Sequence, residues 1–171
     1  DFGGNVVIVK YSPDGVTQWA KTVTAASGGS SFTGVSVDTV GNICAVGYIE
    51  GTGNVNFGNG LIAGEDLGEN AVIVEYNSDG VAQWARTVTV GSGSSKFSGV
   101  TVDSSDNLYA AGYIYGTGGF NFGSGLIVGP YLGENIVIVK YNSDGVSQWA
   151  ETVIADDGGS AFSGITVDAS A

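Results

Sequence analysis

The sequence predicts an all-β protein built from repeats, on three observations. The first is a segment written three times: "NVVIVKYSPDGVTQWA" (5–20), "NAVIVEYNSDGVAQWA" (70–85) and "NIVIVKYNSDGVSQWA" (135–150). The second is its spacing. Trp19, Trp84 and Trp149 stand 65 residues apart, as do Asn5, Asn70 and Asn135, and the register never slips. A fixed period of this length marks a stacked or radial architecture. The third is composition: 30 Gly and 18 aromatic residues (8 Tyr, 7 Phe and 3 Trp) beside a charged fraction of only 13% suit short strands joined by tight turns.

The chain reads as one repeat region over 1–171, with copies at 5–69, 70–134 and 135–171, the last partial, and with 1–4 as the tail of a preceding copy. "DFGGN" (1–5) aligns with "DLGEN" (66–70) and "YLGEN" (131–135), which is what places that tail. At 43% hydrophobic residues the chain can build a core.

Within one period the elements follow in order. "VVIVKY" (6–11) is a β-branched run, apolar on both sides apart from Lys10, and so predicts a strand covered on both faces. "SPDG" (12–15) is a turn, with Pro preset in φ and Gly free to take positive φ. "VTQWAKTV" (16–23) alternates and completes a hairpin. After a Gly/Ser loop (27–31) come "FTGVSVD" (32–38), the turn "TVGN" (39–42) and "ICAVGYI" (43–49), a second hairpin. A connector (50–69) leads to the next Asn and is expected to hold an outer extension of the second hairpin around Asn56-Phe57-Gly58.

"FTGVSVD" places Gly34, Ser36 and Asp38 on one face, which suits a crowded axis. A four-stranded antiparallel unit with such a strand innermost is the blade of a β-propeller. The predicted order within a blade is "FTGVSVD", "ICAVGYI", "AVIVEY" and "VAQWARTV", from axis to rim. The expected architecture is a β-propeller-like array forming an incomplete ring, with an open β-repeat array or solenoid-like stack as the alternative. Two full copies fall short of the roughly four to eight blades that close a ring. The expectation is therefore a segment of a longer propeller, or copies that associate through their terminal strands.

The combination of "GVTVDSSDNLYAAGY" (99–113), "NFG" (121–123) and "NIVIVKYNSDGVSQWA" (135–150) resembles the bacterial β-propeller repeat family labelled SBBP. The resemblance covers essentially the whole chain. The family's pattern departs here at Asp106, where it has Gly, and at Asn56 and Asn121, where it has Asp. The resemblance implies an extracellular or cell-surface bacterial protein and no defined activity.

Charge narrows the partners. Net charge is −12, and the basic residues are Lys10, Lys21, Arg86, Lys96 and Lys140. Such a surface repels phosphate backbones and anionic membrane surfaces, so nucleic acid is not an expected partner. No apolar run approaches the roughly 20 residues of a membrane helix. With no histidine, the Ser-His-Asp and Cys-His nucleophiles and His-based metal sites are absent. The lone Cys44 takes the slot of Tyr109 and reads as a small buried hydrophobe.

Residues present in every copy are explained by the blade. Trp19, Trp84 and Trp149 could stack on sugars, but one large aromatic per repeat is what fills the gap to a neighbouring blade. Tyr48 and Tyr113 read the same way. Asp38, Asp103 and Asp168 close the inner strand and are expected to accept from the following turn. The Asn77-Ser78-Asp79-Gly80 and Asn142-Ser143-Asp144-Gly145 turns faintly resemble calcium loops but lack most of the six to eight oxygens needed. No cofactor is expected.

Residues that differ between copies are the candidate ligand-binding positions: Glu50 against Tyr115, Glu65-Asp66 against Pro130-Tyr131, and Asp156-Asp157 against Gly91-Ser92. The leading functional expectation is a non-catalytic binding or adhesion scaffold for a protein or glycan. A structural subunit of a surface layer or filament is the second. A carbohydrate-active propeller enzyme using one of the many carboxylate pairs is the third.

Overall fold

The computed structural model describes residues 4–152 and 158–168. Among them lie 16 strands in five antiparallel sheets, with no helix and no closed barrel. The molecule is an open, β-propeller-like repeat array.

The first repeated segment forms the hairpin β1 (Val7–Tyr11) and β2 (Thr17–Thr22), a two-stranded sheet. The turn predicted from "SPDG" is present: Gly15 has φ 80°, and its equivalents Gly80 and Gly145 have 75° and 71°. Each such turn puts a residue in the left-handed region, which glycine enters without a Cβ penalty.

The first complete blade consists of β4 (Ser30–Val37), β5 (Ile43–Glu50), β8 (Glu69–Tyr76) and β9 (Ala82–Thr87), hydrogen-bonded in that order. The second consists of β11 (Ser95–Val102), β12 (Leu108–Tyr115), β15 (Glu134–Tyr141) and β16 (Ser147–Thr152), in the same order. This is the predicted axis-to-rim sequence. The predicted Gly/Ser loop is shorter than 27–31, because Ser30 and Ser31 already pair with Ile49 and Tyr48.

The connector departs from expectation. Rather than extending the second hairpin, β6 (Asn54–Asn56) pairs with β3 (Ala25–Ala26) on one side and β7 (Leu61–Ala63) on the other as a separate three-stranded sheet. The same happens in the next copy with β10 (Val90–Gly91), β13 (Gly119–Asn121) and β14 (Leu126–Val128). The cause is local. Asn56 Oδ1 accepts from Gly58 N at 2.8 Å, which tightens the turn between β6 and β7. Val55 and Phe57 then become buried beneath the small sheet.

Blades stack face to face. One core joins Val46, Ile73 and Trp84 of the first blade to Val100, Leu108, Val139 and Tyr141 of the second. Another joins Val6 of the opening segment to Val72, Val74 and Tyr76, with Ile8 packed against it. At the axis the inner strands come closest at glycine: a Cβ on Gly34 would lie 3.1 Å from Gly99 Cα, and one on Gly99 would lie 3.2 Å from Gly164 Cα. Both inner strands carry a register shift there, between Phe32 and Gly34 and between Phe97 and Gly99. Thr33, set free by the first bulge, donates its Oγ1–H to Phe97 O at 2.6 Å and locks the two blades at the axis.

Candidate functional site

The strands of a blade end on two rims. One rim carries the hairpin turns, and the other carries the connectors with the residues that differ between copies. The connector rim is built on a buried asparagine. Asn70, fully buried, accepts at Oδ1 from the backbone N–H of Glu65 and Asp66, both at 2.8 Å. Its Nδ2 donates to the carbonyls of Gly51, Asp66 and Gly68 at 3.1, 2.9 and 3.1 Å. One side chain thus pins the end of β5 and the loop before β8. Asn135 repeats the clamp, accepting from Tyr131 N at 2.9 Å and donating to Gly116, Tyr131 and Gly133. Pro130, standing where Glu65 does, has no N–H to give, so the second clamp holds one donor fewer.

On this shared frame the chemistry is exchanged. In copy one the clamp holds acidic residues: Glu65, exposed, and Asp66, half-buried, with Glu50 exposed at the end of β5. In copy two the equivalent positions are aromatic: Tyr115, 52% exposed, and Tyr131, half-buried against Gly133 and Gly159. Glu50 and Asp66 adjoin the residues that Asn70 holds, with the Glu50 carboxylate against Gly29 and Asp66 Oδ1 accepting from Gly68 N at 2.8 Å, and Tyr115 and Tyr131 adjoin those that Asn135 holds. Glu65 Cβ packs beside Gly91 of β10. Asp156 and Asp157 lie outside the described residues.

Near the two clamps runs a polar bridge across the blades. Tyr113 donates its hydroxyl to Glu69 Oε2 at 2.6 Å. Burial, and then this bond to a carboxylate, push the Tyr113 phenol above its ordinary range. Lys96 Nζ sits 4.8 Å from the centre of the Tyr48 ring, a cation–π contact between the first and second blades.

The turn rim is occupied by its own structure. Asp38 Oδ1 accepts from Val40 N and Asn42 N at 3.0 and 2.7 Å, and Asp103 does the same for Ser105 and Asn107 at 2.9 Å each. These carboxylates hold their turns, as predicted. Asn77 Oδ1 accepts from Asp79 N and Val81 N, so this oxygen is already engaged within the turn that faintly resembles a calcium loop. Among the described residues no group of three or more His, Cys, Asp or Glu is arranged to hold a metal.

The tryptophans behave as inter-blade fillers where a blade follows. Trp19 donates its indole N–H to Ser78 O at 3.0 Å, and Trp84 donates to Ser143 O at 3.1 Å, each reaching the next hairpin turn. Trp84 is 7% exposed; Trp149 is 38% exposed.

One residue of chemical interest escapes the reading by repeats. Glu75 occupies the place of Lys10 and Lys140, so a carboxylate stands where its equivalents are ammonium groups. It is buried between Cys44 and Trp84, its cross-strand partners, on the face covered by the second blade. Burial, and then the charge of Asp38, raise its carboxyl to about 7, while the Trp84 N–H pulls the other way. The same burial, with Glu75 and Asp38 nearby, holds the Cys44 thiol well above its ordinary value, so it is a packing residue. The signal was present in the sequence as a charge reversal at a strictly repeated position. Against a scan of protein-family models and a search of curated proteins, the chain finds no match.

Proposed function

We propose that this chain is a non-catalytic binding or adhesion scaffold whose connector rim engages a protein or glycan. The observation that carries the reading is the exchange at the two asparagine clamps. The backbone frame is kept, while Glu50, Glu65 and Asp66 in one copy become Tyr115, Pro130 and Tyr131 in the next. Constant scaffold with variable exposed loops is the arrangement that binding proteins use. Exposed tyrosine offers stacking and hydroxyl donation, and the acidic residues of the other copy offer acceptors for sugar hydroxyls or a basic protein surface. The proposal includes no cofactor, and an extracellular or cell-surface location in a bacterium, which the repeat resemblance supports.

The test is a glycan and protein array probed with the 171-residue chain, the triple variant E50Q/E65Q/D66N and the double variant Y115A/Y131A. Binding reduced at least about tenfold in one variant, with unchanged circular dichroism and no turnover of the bound glycan, supports the reading. Equal binding by all three proteins removes the rim from it.

A second reading, assembly through the terminal strands as in a layer or filament, is favoured by the two end faces. Val7 and Tyr11 at one end are 63% and 58% exposed, and Trp149 at the other is 38% exposed. Concentration-dependent mass in light scattering supports it; a constant monomer mass up to millimolar chain rules it out.

A further inference from the structure

Successive repeats close on each other at a hairpin-turn carbonyl, and the two such contacts among the described residues are supplied with different donors. Where the opening hairpin meets the first blade, Ser78 O accepts twice, from Lys10 Nζ and from Trp19 Nε1, both at 3.0 Å. Where the first blade meets the second, the equivalent Ser143 O accepts from Trp84 Nε1 at 3.1 Å. The place of Lys10 is taken there by Glu75, 7% exposed, and an ionised carboxylate has no hydrogen to donate. The same indole N–H also reaches the Glu75 carboxyl. With Glu75 ionised, two acceptors therefore compete for one donor inside a buried contact, which is costly.

We propose that the contact between the first and second blades is a proton-operated latch: the protonated Glu75 carboxyl donates its O–H to Ser143 O, as Lys10 donates to Ser78 O, and loss of that proton loosens the turn between β15 and β16 from the first blade. The surroundings of Glu75 favour the proton. Cys44, its cross-strand partner on β5, is held as a neutral thiol by burial. Tyr141 on β15, in the same core, keeps its phenol proton for the same reason. Asp38 of the β4–β5 turn, Asp106 of the β11–β12 turn and Asp144 of the β15–β16 turn all oppose a further negative charge. Arg86 on β9, the cation of this contact, directs Nε at Gly145 O, Nη1 at Ala85 O and Nη2 at Asp144 O, at 2.9, 3.0 and 3.4 Å. Burial, and then Asp38, hold the Glu75 carboxyl at about 7. The closed contact thus binds the proton more tightly than the open one, so the latch holds at low pH and loosens as pH rises through that value. The contact closed by Lys10 keeps its donor throughout, because an ammonium does not titrate in this range.

The first test needs no variant. In isotope-labelled 171-residue chain, hydrogen exchange of the Trp84 and Trp19 indole N–H groups is followed by NMR, with Trp19 as the internal reference. Protection of Trp84 relative to Trp19 should fall at least about tenfold between about pH 5 and about pH 8. E75Q keeps a side-chain N–H donor at every pH and should hold this ratio high and flat. E75L, close in size but with neither donor nor charge, should give a flat ratio at least about threefold below that of E75Q. A parent ratio that does not change with pH overturns the latch. Equal protection in E75Q and E75L overturns the donated hydrogen bond on which it depends, whichever way the global unfolding midpoint moves.

Discussion

Trp84 and Trp149 end the same repeated segment, on the same strand of two blades with the same order, yet they live in different solvents. Trp84 has Gly145 of the next turn against its ring, and a Cβ there would lie 2.5 Å from Cδ2. Trp149 has no such turn against it among the described residues, and 38% of it is exposed. The opening hairpin repeats the contrast from the other side, since Val7 is 63% exposed and Val72 fully buried. The lesson concerns where repeat stability resides. Local sequence makes the hairpin, but the neighbouring blade supplies most of the burial, as expected when repeats are stabilised through nearest-neighbour interfaces.

The largest expected break of this comparison is W84A, which should destabilise the chain by about 3–5 kcal/mol, while W149A should cost under about 1 kcal/mol. Urea unfolding of the two variants measures both; equal costs would mean that the interface is not what holds the indole. Next comes the partner glycine. G15A meets no atom within 4 Å and carries only the strain of a φ of 80°, about 1–2 kcal/mol. G145A carries the same strain and must also displace the Trp84 ring, for about 2–4 kcal/mol in total. The difference between the two should vanish in the W84A background.

Glu75 sharpens the comparison by charge. Its folded-state carboxyl, raised to about 7 from an ordinary 4.5, binds its proton more tightly than the unfolded chain does. Stability is therefore greatest below the unfolded value, falls as pH rises from about 4.5 to 7, and stays lower above that window. E75Q should remove this slope, gaining about 2–3 kcal/mol at pH 8 and little at pH 4. Denaturant midpoints across that range decide it, and a parallel pH profile for E75Q and the parent would show that the carboxylate is solvated. The smallest effect is expected at Asp106, whose φ of 60° is unusual outside glycine and whose equivalent in copy one is Gly41. D106G relieves that strain but loses the bonds from Thr39 N and Oγ1, at 2.9 and 2.8 Å. Its net change should stay within about 0.5 kcal/mol, measured by the same unfolding.

Turn glycines and the roles of Asp38 and Asp103 were legible in the sequence because each depends on residues near one another in a single copy, and the strand order, which joins β4 and β5 to β8 and β9 of the next copy, was legible from the period. The small sheets of β3, β6 and β7 and of β10, β13 and β14 were not. Their strands are two or three residues long, too short for an alternating pattern, and Ala25–Ala26 carries no strand signal. Burial at the two ends was not legible either, because Val7 and Val72 are the same residue in nearly the same segment. Of the candidate site, the exchanged positions could be found by comparing copies. The asparagines that clamp them were visible as repeated residues, but their role depends on carbonyls up to 19 residues away. Glu75 departs from the repeat at one position, so the pattern that marks the fold does not mark it.

The gap-free period also has a consequence at the level of the gene. The bonds that tie the array together recur at fixed chain separations, such as 59 residues from Trp19 to Ser78 and from Trp84 to Ser143. Others span 24 residues, from Val6 to Ser30 and from Ala71 to Ser95. Misaligned recombination that adds or removes one whole period would leave each of these partners at its working distance, whereas an exchange shifted by a single codon would disturb every bond that spans the junction. The coding sequence can therefore lengthen or shorten in units of a blade, with every new junction already rehearsed in the parent, and the acidic and aromatic rims can be reshuffled in the same step.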